Sequence, residues 1–255
     1  MTLRFASLGS GSRGNAVLVE SDSTLVMVDC GFTLKAVEQR LNNLDKNPKD
    51  IQALLVTHEH SDHIKGVPPF VRQYGIPAWM THGTAESLTA ENLTNICKFN
   101  CEQTLTIGSL TVQPFPVPHD AREPVQFIFS SEHRKLGMLT DTGHITPHIA
   151  ERLANCDALA IECNHDAETL LNGAYPETLK ARISSSYGHL NNDQVVGLLE
   201  IVNHEALQWV MALHLSEKNN SPDLVCKALA KSLAPQSQAL HIAEQNQPSE
   251  WIEVA

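Results

Sequence analysis

The sequence lacks the features of a membrane-embedded or exported protein. No apolar run in its 255 residues approaches the ~20 residues that a helix needs to span a bilayer. Near the amino terminus there is no basic stretch followed by the apolar core that marks a secretion signal. We therefore expect a chain that does not associate with membranes and that works in the cytoplasm.

The sequence also lacks a basic block and a disulfide framework. Lys and Arg total 18 against 29 Asp and Glu, which gives a net charge of −11. This balance argues against a structural nucleic-acid binder that relies on phosphate contacts alone. It does not exclude an enzyme that acts on nucleic acid, because bound metal ions supply local positive charge. The six cysteines are scattered, so we expect reduced and mostly buried thiols.

No internal repeat or linker divides the chain, so we expect a single domain over residues 1–255. The patterns predict strands at 3–8, 15–20, 24–29, 52–57, 77–80, 104–107, 109–115, 125–130, 135–140, 157–161, 208–213 and 238–242. They predict helices at 33–43, 63–74, 146–154, 176–183, 191–203 and 220–232. A strand-rich half followed by alternating helices and strands indicates an α/β protein with two sheets covered by helices.

A glycine pattern near the amino terminus imitates a nucleotide-binding motif. The stretch "LRFASLGSGSRGN" contains G-x-G-x-x-G, and Asp29 lies 20 residues beyond Gly9. That motif needs a helix directly after its glycines, because the helix amino terminus holds the pyrophosphate. The next residues, "AVLVESDSTLVMVD", instead predict a β-hairpin. We therefore expect no nucleotide cofactor.

The stretch "LLVTHEHSDHIKG" predicts a metal site. His58 and His60 follow an apolar strand at i and i+2, so they point to the same side of an extended backbone. Ser61 and Asp62 are suited to cap the next helix, which places Asp62 and His63 at its amino terminus. Imidazoles with a carboxylate suit zinc, iron or manganese rather than calcium.

This H-x-H-x-D-H pattern resembles the main motif of the metallo-β-lactamase-fold hydrolase superfamily. The resemblance implies an α/β layered fold, a four-layered αββα sandwich with metals at one edge of the two sheets. It also implies three further ligands, each after a predicted strand. These are His119 in "VQPFPVPHDA", Asp141 in "KLGMLTDTG" and His214 in "QWVMALHLSEKNN".

The resemblance implies two divalent metal ions held by seven ligands. They are His58, His60 and His119 for one ion, Asp62, His63 and His214 for the other, and Asp141 for both. We expect zinc, with manganese and iron as alternatives. A hydroxide that bridges two such ions is a strong nucleophile at neutral pH. We expect Asp62 to take part in catalysis as well as in metal binding.

Three later segments narrow the resemblance to the WalJ/YycJ-type exonucleases, which are relatives of tRNase Z. They are "ALAIECNHDAETLL", "RISSSYGHLNNDQVVGLL" and "LHLSEKNNSP". The resemblance implies that His189 is a proton donor or a phosphate contact, oriented by Glu162, and that His165 contacts substrate. Asn191 departs from the serine expected in this turn, but both residues cap helices.

The same relatives carry a turn similar to the Ser-Gly-Ser-x-Gly-Asn segment in the opening glycine loop. The resemblance implies a loop whose N–H groups hold a substrate phosphate together with Ser10, Ser12, Arg13 and Asn15. A plain structural turn is the alternative.

The expected function is that of a dinuclear metal-dependent hydrolase, a nuclease of the exonuclease type that acts on the phosphodiester bonds of DNA or RNA. One alternative is a thioester or lactone hydrolase of the same fold, and another is a metal-bearing regulatory protein without turnover. A β-lactamase is disfavoured, since the common zinc β-lactamases carry arginine where His63 stands and use a cysteine ligand. The sequence does not predict the oligomeric state.

Overall fold

The computed structural model describes residues 2–88, 93–230, 232–233 and 239–255. Within these ranges, fourteen strands form two seven-stranded sheets. The first sheet contains β1 (Leu3–Gly9), β2 (Ala16–Ser21), β3 (Thr24–Val28), β4 (Ile51–Leu55), β5 (Ala78–Thr81) and β6 (Ile96–Phe99), with β14 (Ile252–Val254) beside β1. The second contains, in spatial order, β7 (Leu105–Ile107), β8 (Leu110–Pro116), β9 (Val125–Ser131), β10 (Arg134–Leu139), β11 (Ala158–Glu162), β12 (Trp209–Leu213) and β13 (Ala239–Ile242).

The described helices connect the strands and cover the sheets. They are α1 (Leu34–Asn42), α2 (Ser61–Ile64), α3 (Val67–Tyr74), α4 (His82–Ser87), α5 (Pro147–Leu153), α6 (Ala167–Asn172), α7 (Glu177–Ile183), α8 (Asn192–Val202) and α9 (Pro222–Leu229). A short 3₁₀ turn, Pro48–Asp50, precedes β4. Within the described ranges, no helix combines the length and the apolar character that crossing a membrane requires.

The two sheets have the same order of antiparallel and parallel strand pairs. In each, three antiparallel pairings are followed by three parallel pairings. Because parallel strands end at the same edge of a sheet, the residues that follow them are delivered to that edge. The fold therefore places the segments after β4, β10 and β12 where they can meet.

Three hydrophobic clusters separate the layers. Phe5 of the first sheet and Phe127 of the second belong to the cluster between the sheets. Phe70 of α3 packs with the outer face of the first sheet, and Leu198 of α8 packs with the outer face of the second. The order is helix, sheet, sheet, helix, which confirms the predicted αββα sandwich.

Most predicted elements are present, and the differences have local causes. The hairpin predicted after the glycine loop is β2 and β3, which pair antiparallel. The predicted helix at 63–74 is divided into α2 and α3, because the Gly66 N–H donates to the carbonyl oxygen of Cys30 at 2.7 Å and because Pro68 and Pro69 have no N–H to continue the helical hydrogen bonds. Residue 231 of one predicted helix and residue 238 of one predicted strand lie outside the described residues.

Four described elements were not predicted, namely α4, β6, α6 and β14. Each has three to six residues, too few to show a clear periodicity. The six cysteines are free as predicted, although only three, Cys30, Cys156 and Cys163, are buried.

Gly31 lies where the first sheet meets the metal-motif segment. Its N–H donates to the carbonyl oxygen of Asn15, whose own N–H donates to the carbonyl oxygen of Asp62. A Cβ at Gly31 would lie 1.7 Å from that Asp62 oxygen. No side chain fits there without backbone movement.

We therefore expect Gly31→Ala to lower the free energy of unfolding by about 1–3 kcal/mol or more, the usual range for overpacking. Urea unfolding measures this change. Gly197→Ala is the matched control, because it lies in α8 with no atom within 4 Å of an added Cβ. It should stabilise the chain by about 0.5–1 kcal/mol. Equal stability of both variants would contradict the packing described for Gly31.

Candidate metal centre

Seven histidine and aspartate side chains meet at the edge of the sandwich where parallel strands end. They follow β4, β8, β10 and β12 in the chain. The seven residues are His58, His60, Asp62, His63, His119, Asp141 and His214. They fall into overlapping groups, and within each group the potential ligand atoms lie within 4.8 Å of one another. The structure thus brings together all seven residues that the sequence predicts as ligands.

The first group consists of three imidazoles. His119 Nε2 lies 3.2 Å from His60 Nδ1, and the ring of His58 is centred 4.6 Å and 4.8 Å from the rings of His60 and His119. His58 Nε2 is buried without a hydrogen-bond partner among the described residues. A buried nitrogen without a partner calls for an explanation, and a divalent ion between three imidazoles fits the donor set.

The protonation of this first group favours metal binding. Burial, together with the charge of His63, holds the pKa of His58 well below its usual value. Burial likewise lowers the pKa of His119. Both rings are therefore neutral near pH 7, which is the form that binds a metal.

The second group surrounds Asp62. The Oδ2 atom of Asp62 lies 3.4 Å from His214 Nε2 and 3.6 Å from His63 Nε2. Asp141 connects this group to the first, since its Oδ2 atom lies 3.0 Å from His63 Nε2 and it also groups with His58. A carboxylate in this position is suited to contact two ions.

The backbone turns sharply at the residues that deliver these side chains. Asp141 and His214 have φ angles of 45° and 53°, in the left-handed region, and Asp29 has a φ of 60°. Asp and His tolerate this region better than most residues, at a cost of order 1–3 kcal/mol each. Each lies just beyond a strand of the parallel half of its sheet, so the chain turns at the edge where the side chains gather.

Asp29 is a site residue that the sequence reasoning missed. Its carboxylate accepts hydrogen bonds from the N–H and hydroxyl groups of Thr57, both at 2.8 Å, and lies 2.7 Å from His63 Nδ1. This contact fixes the ring so that Nε2 faces Asp141, as outer carboxylates do for metal-bound histidines. The available signal in the sequence is an acidic residue just after a strand, a position that Asp29 shares with Asp141.

Glu162 and His189 meet as predicted. His189 Nδ1 lies 2.9 Å from Glu162 Oε2, and the Glu162 carboxylate also accepts the backbone N–H groups of Asp141, Thr142 and Leu190. Burial alone would raise the pKa of Glu162, but the charge and hydrogen bond of His189 hold it at about 2. Glu162 is therefore a buried, ionised acceptor that orients the His189 ring.

The opening loop supports the site from behind. Ser10 Oγ donates to Asn15 Oδ1 at 2.9 Å and accepts the backbone N–H of His214 at 2.8 Å. Asn15 Nδ2 lies 3.2 Å from His63 Nε2, while Arg13 binds Glu217 at the surface.

The five residues that the sequence predicts as substrate contacts differ in whether they reach the cavity. Ser10 and Asn15 are buried and bonded to the protein, and Arg13 is not part of the cavity lining described below. His165 is also buried, at 2 % exposure, and its carbonyl accepts the N–H of Asn192. Only Ser12 of these five predicted residues lines the cavity.

A cavity of about 320 Å³ opens over the ligands. Its lining consists of ligand side chains, small polar residues and one wall from the α6–α7 region. The lining residues are Ser12, His60, Ser61, Asp62, Asp120, Asp141, Asn164, Tyr175, Leu179, Arg182, Ile183, Gly188, His189, His214 and Ser216. His189 thus faces the same space as the ligands.

The ligand charges make the stability of the metal-free chain depend on pH. Burial alone would lower the pKa of His214, but the charge of Asp141 and the hydrogen bond to Asp62 raise it to about 10. A histidine whose pKa is raised on folding stabilises the chain below its unfolded value of about 6.5. That stabilisation is lost as pH rises through the folded value.

We expect the free energy of unfolding of chelator-treated protein to fall between about pH 6.5 and about pH 10. Urea unfolding across this range measures it. His214→Gln should make the fall smaller, because the glutamine side chain binds no proton, while His63 and His189, whose pKa values, despite burial, are also raised by neighbouring carboxylates, keep part of it. A profile that rises over the same range would contradict the proton bound at His214.

Comparisons with known proteins agree with this geometry. A family model for the β-lactamase superfamily domain matches residues 24–213. "Exodeoxyribonuclease YycJ" of Bacillus anthracis is 35% identical over 238 residues, which cover 91% of this chain and 90% of that protein. "Exodeoxyribonuclease WalJ" of Streptococcus pneumoniae is 33% identical over 240 residues, which cover 91% and 88%.

A solved structure shows the same fold. The metallo-β-lactamase fold protein YhfI from Bacillus subtilis superposes with a TM-score of 0.77 at 16% identity, covering 99% of this chain and 100% of that one. With the family model matching most of its length and the curated relatives matching nearly all of it, the chain belongs to the β-lactamase superfamily, as a metallo-β-lactamase-fold protein that resembles the WalJ/YycJ-type exonucleases.

Proposed function

We propose that this chain is a metal-dependent hydrolase that cleaves phosphodiester bonds in nucleic acid, as an exonuclease acting on DNA. The observation that carries the proposal is the convergence of seven metal-type ligands and His189 on one cavity. The relatives named exodeoxyribonuclease, at 35% and 33% identity over nearly the whole chain, support DNA as the substrate.

The proposed centre holds two divalent ions, zinc in first place with manganese and iron as alternatives. One ion is assigned to His58, His60 and His119, the other to Asp62, His63 and His214, and Asp141 to both. When bound, such ions would activate water and offset the charge on a phosphodiester oxygen.

The chain's own residues then position the substrate and move a proton. Burial alone would lower the pKa of His189, but the charge and hydrogen bond of Glu162 raise it. Its Nδ1 is held by Glu162, so Nε2 is the atom available to donate a proton to a leaving oxygen in the cavity. We assign Asp62 to this catalytic set as well, since it lines the same cavity as His189.

Two broader assignments accompany this proposal. We assign residues 1–255 to one domain, because ligands arrive from both sheets and neither sheet holds the centre alone. We place the chain in the cytoplasm, and its six free cysteines support that location.

Asp141→Asn should lose at least one ion, because asparagine keeps the shape of the side chain and removes the charge that two ions share. Even partners outside the ligand set are worth ~10–100-fold in metal affinity or activity, so we expect at least that loss. Elemental analysis and hydrolysis of bis(p-nitrophenyl) phosphate measure the two effects.

Asp157→Asn is the matched control for this experiment. Asp157 is a buried aspartate just before β11, at the opposite end of that strand from Glu162, and it pairs with Arg134. Its substitution should therefore leave the metal content unchanged. Two retained ions and full activity in Asp141→Asn would refute the shared ligand. Turnover of a thioester but of no phosphodiester by the wild-type protein would instead favour the alternative hydrolase.

His189→Ala should keep both ions and lower kcat on DNA, because general acid catalysis contributes ~10²–10⁴-fold. The loss should shrink with a p-nitrophenolate leaving group, which needs no proton. His214→Ala should lose an ion instead. If His189→Ala lost an ion while His214→Ala kept two, His189 would be the metal ligand and His214 would not. An equal loss on both kinds of substrate would make His189 a phosphate contact.

A further inference from the structure

One wall of the cavity is apolar, although the rest of the lining is polar. Helix α7 has no buried residue, yet Leu179 and Ile183 of this helix line the cavity together with Tyr175 just before it. Leu179 and Ile183 are spaced at i and i+4 and so share one face of the helix, while Tyr175 precedes the N-cap Pro176. Arg182 lines the cavity beside them. We call Tyr175, Leu179, Arg182 and Ile183 the α7 wall.

The α7 wall is not explained by packing in the core. Its apolar members belong to none of the three hydrophobic clusters formed by the described residues. Apolar surface that lines an open polar cavity gains free energy when a ligand covers it. The substrate that suits this cavity therefore has an anionic part for the proposed metal ions and a flat or apolar part for the wall.

Two cations contact residues of this wall or belong to it: Arg182 lines the cavity, and Lys218 contacts Tyr175 without lining the cavity. Lys218 Nζ lies over the Tyr175 ring, 5.4 Å from its centroid, which is cation–π distance. The Arg182 side chain is 62 % exposed, and its Nε donates to Asp120 Oδ2 at 2.7 Å. A guanidinium has five N–H donors, so Arg182 keeps donors for a phosphate while it holds Asp120. These charges are notable in a chain of net charge −11.

A nucleotide has the shape and chemistry that this wall requires. The cavity of about 320 Å³ is at the small end of pockets that hold one ligand, ~300–1,000 Å³. Lys218 covers one face of the Tyr175 ring, which leaves the other face for a base. Bases stack on aromatic side chains with little regard to sequence.

We propose that the α7 wall binds the base and sugar of the nucleotide next to the scissile phosphate, with Tyr175 stacking on the base and with Arg182 and Lys218 facing the neighbouring phosphates. The inference rests on the proposed function and specifies that the terminal nucleotide is held with its base unpaired. A base inside a duplex is stacked between its neighbours, so it must leave the stack before it can meet a protein ring.

The test compares two single-stranded oligodeoxynucleotides on the metal-loaded enzyme, one normal and one abasic at its terminal residues. Tyr175→Ala should raise KM for the normal strand roughly tenfold, in line with the loss of one base–aromatic stack, and change kcat little. It should have almost no effect on the abasic strand, which has no base to stack. Tyr175→Phe should behave as the wild type, because the ring is kept.

A second pair of variants tests the apolar part of the wall. Ile183→Ala should raise KM for the normal strand, whereas Ile201→Ala should not, because Ile201 is 67 % exposed on α8 and does not line the cavity. Anisotropy of a labelled strand in chelator gives a binding readout without turnover, and Tyr175→Ala should weaken it. Metal content and urea unfolding should match the wild type in all four variants.

The outcomes separate this inference from the proposed function. If the wild-type enzyme cleaves DNA but Tyr175→Ala leaves KM unchanged, or raises it equally for normal and abasic strands, the wall does not bind a base and the nuclease assignment stands. If the metal-loaded wild type cleaves none of the DNAs, the proposed function fails, and the base-binding wall fails with it.

Discussion

The centre depends on one buried carboxylate. Asp141 lies between His63 of the first sheet's edge and His214 of the second, and it is almost completely buried. Burying a charge is costly unless it is paired, so each of these groups needs the others or a metal ion. Removing one of these groups leaves the charge of its neighbours buried and unpaired. Metal binding, protonation and the docking of the two sheets are consequently parts of one equilibrium.

The two sheets support the centre in parallel ways. After β3, Asp29 holds His63 through Nδ1, and at the end of β11, Glu162 holds His189 through Nδ1. In each case a buried acid holds Nδ1 and leaves Nε2 of the ring for other contacts. His63 Nε2 lies beside Asp141, and the His189 ring lines the cavity. The opening loop adds a third support, since Ser10 fixes the backbone of His214. The residues outside the ligand set thus decide which atoms the ligands present.

The acidic surface is compatible with a nucleic-acid substrate under these assignments. The sequence has a net charge of −11 and no basic block that could hold a duplex by its phosphates alone. Positive charge is local instead, and comes from the proposed ions and from Arg182 and Lys218 at the α7 wall. Stacking on Tyr175 would add binding that does not depend on net charge. Such a site favours the end of a strand over the middle of a duplex.

The sequence by itself determined most of the elements and the candidate metal motif, because strand ends and ligand-type residues are encoded over a few neighbouring positions. H-x-H-x-D-H after an apolar strand is such a local pattern, whereas His119, Asp141 and His214 were candidates only through the family resemblance that this motif carries. Only the tertiary structure decided the rest. Ser10 Oγ meets the N–H of His214 across 204 positions, Asp29 meets His63 across 34, and α7 turns its apolar side to the cavity. No periodicity records such contacts, because side chains distant in sequence become partners only when both sheets have packed.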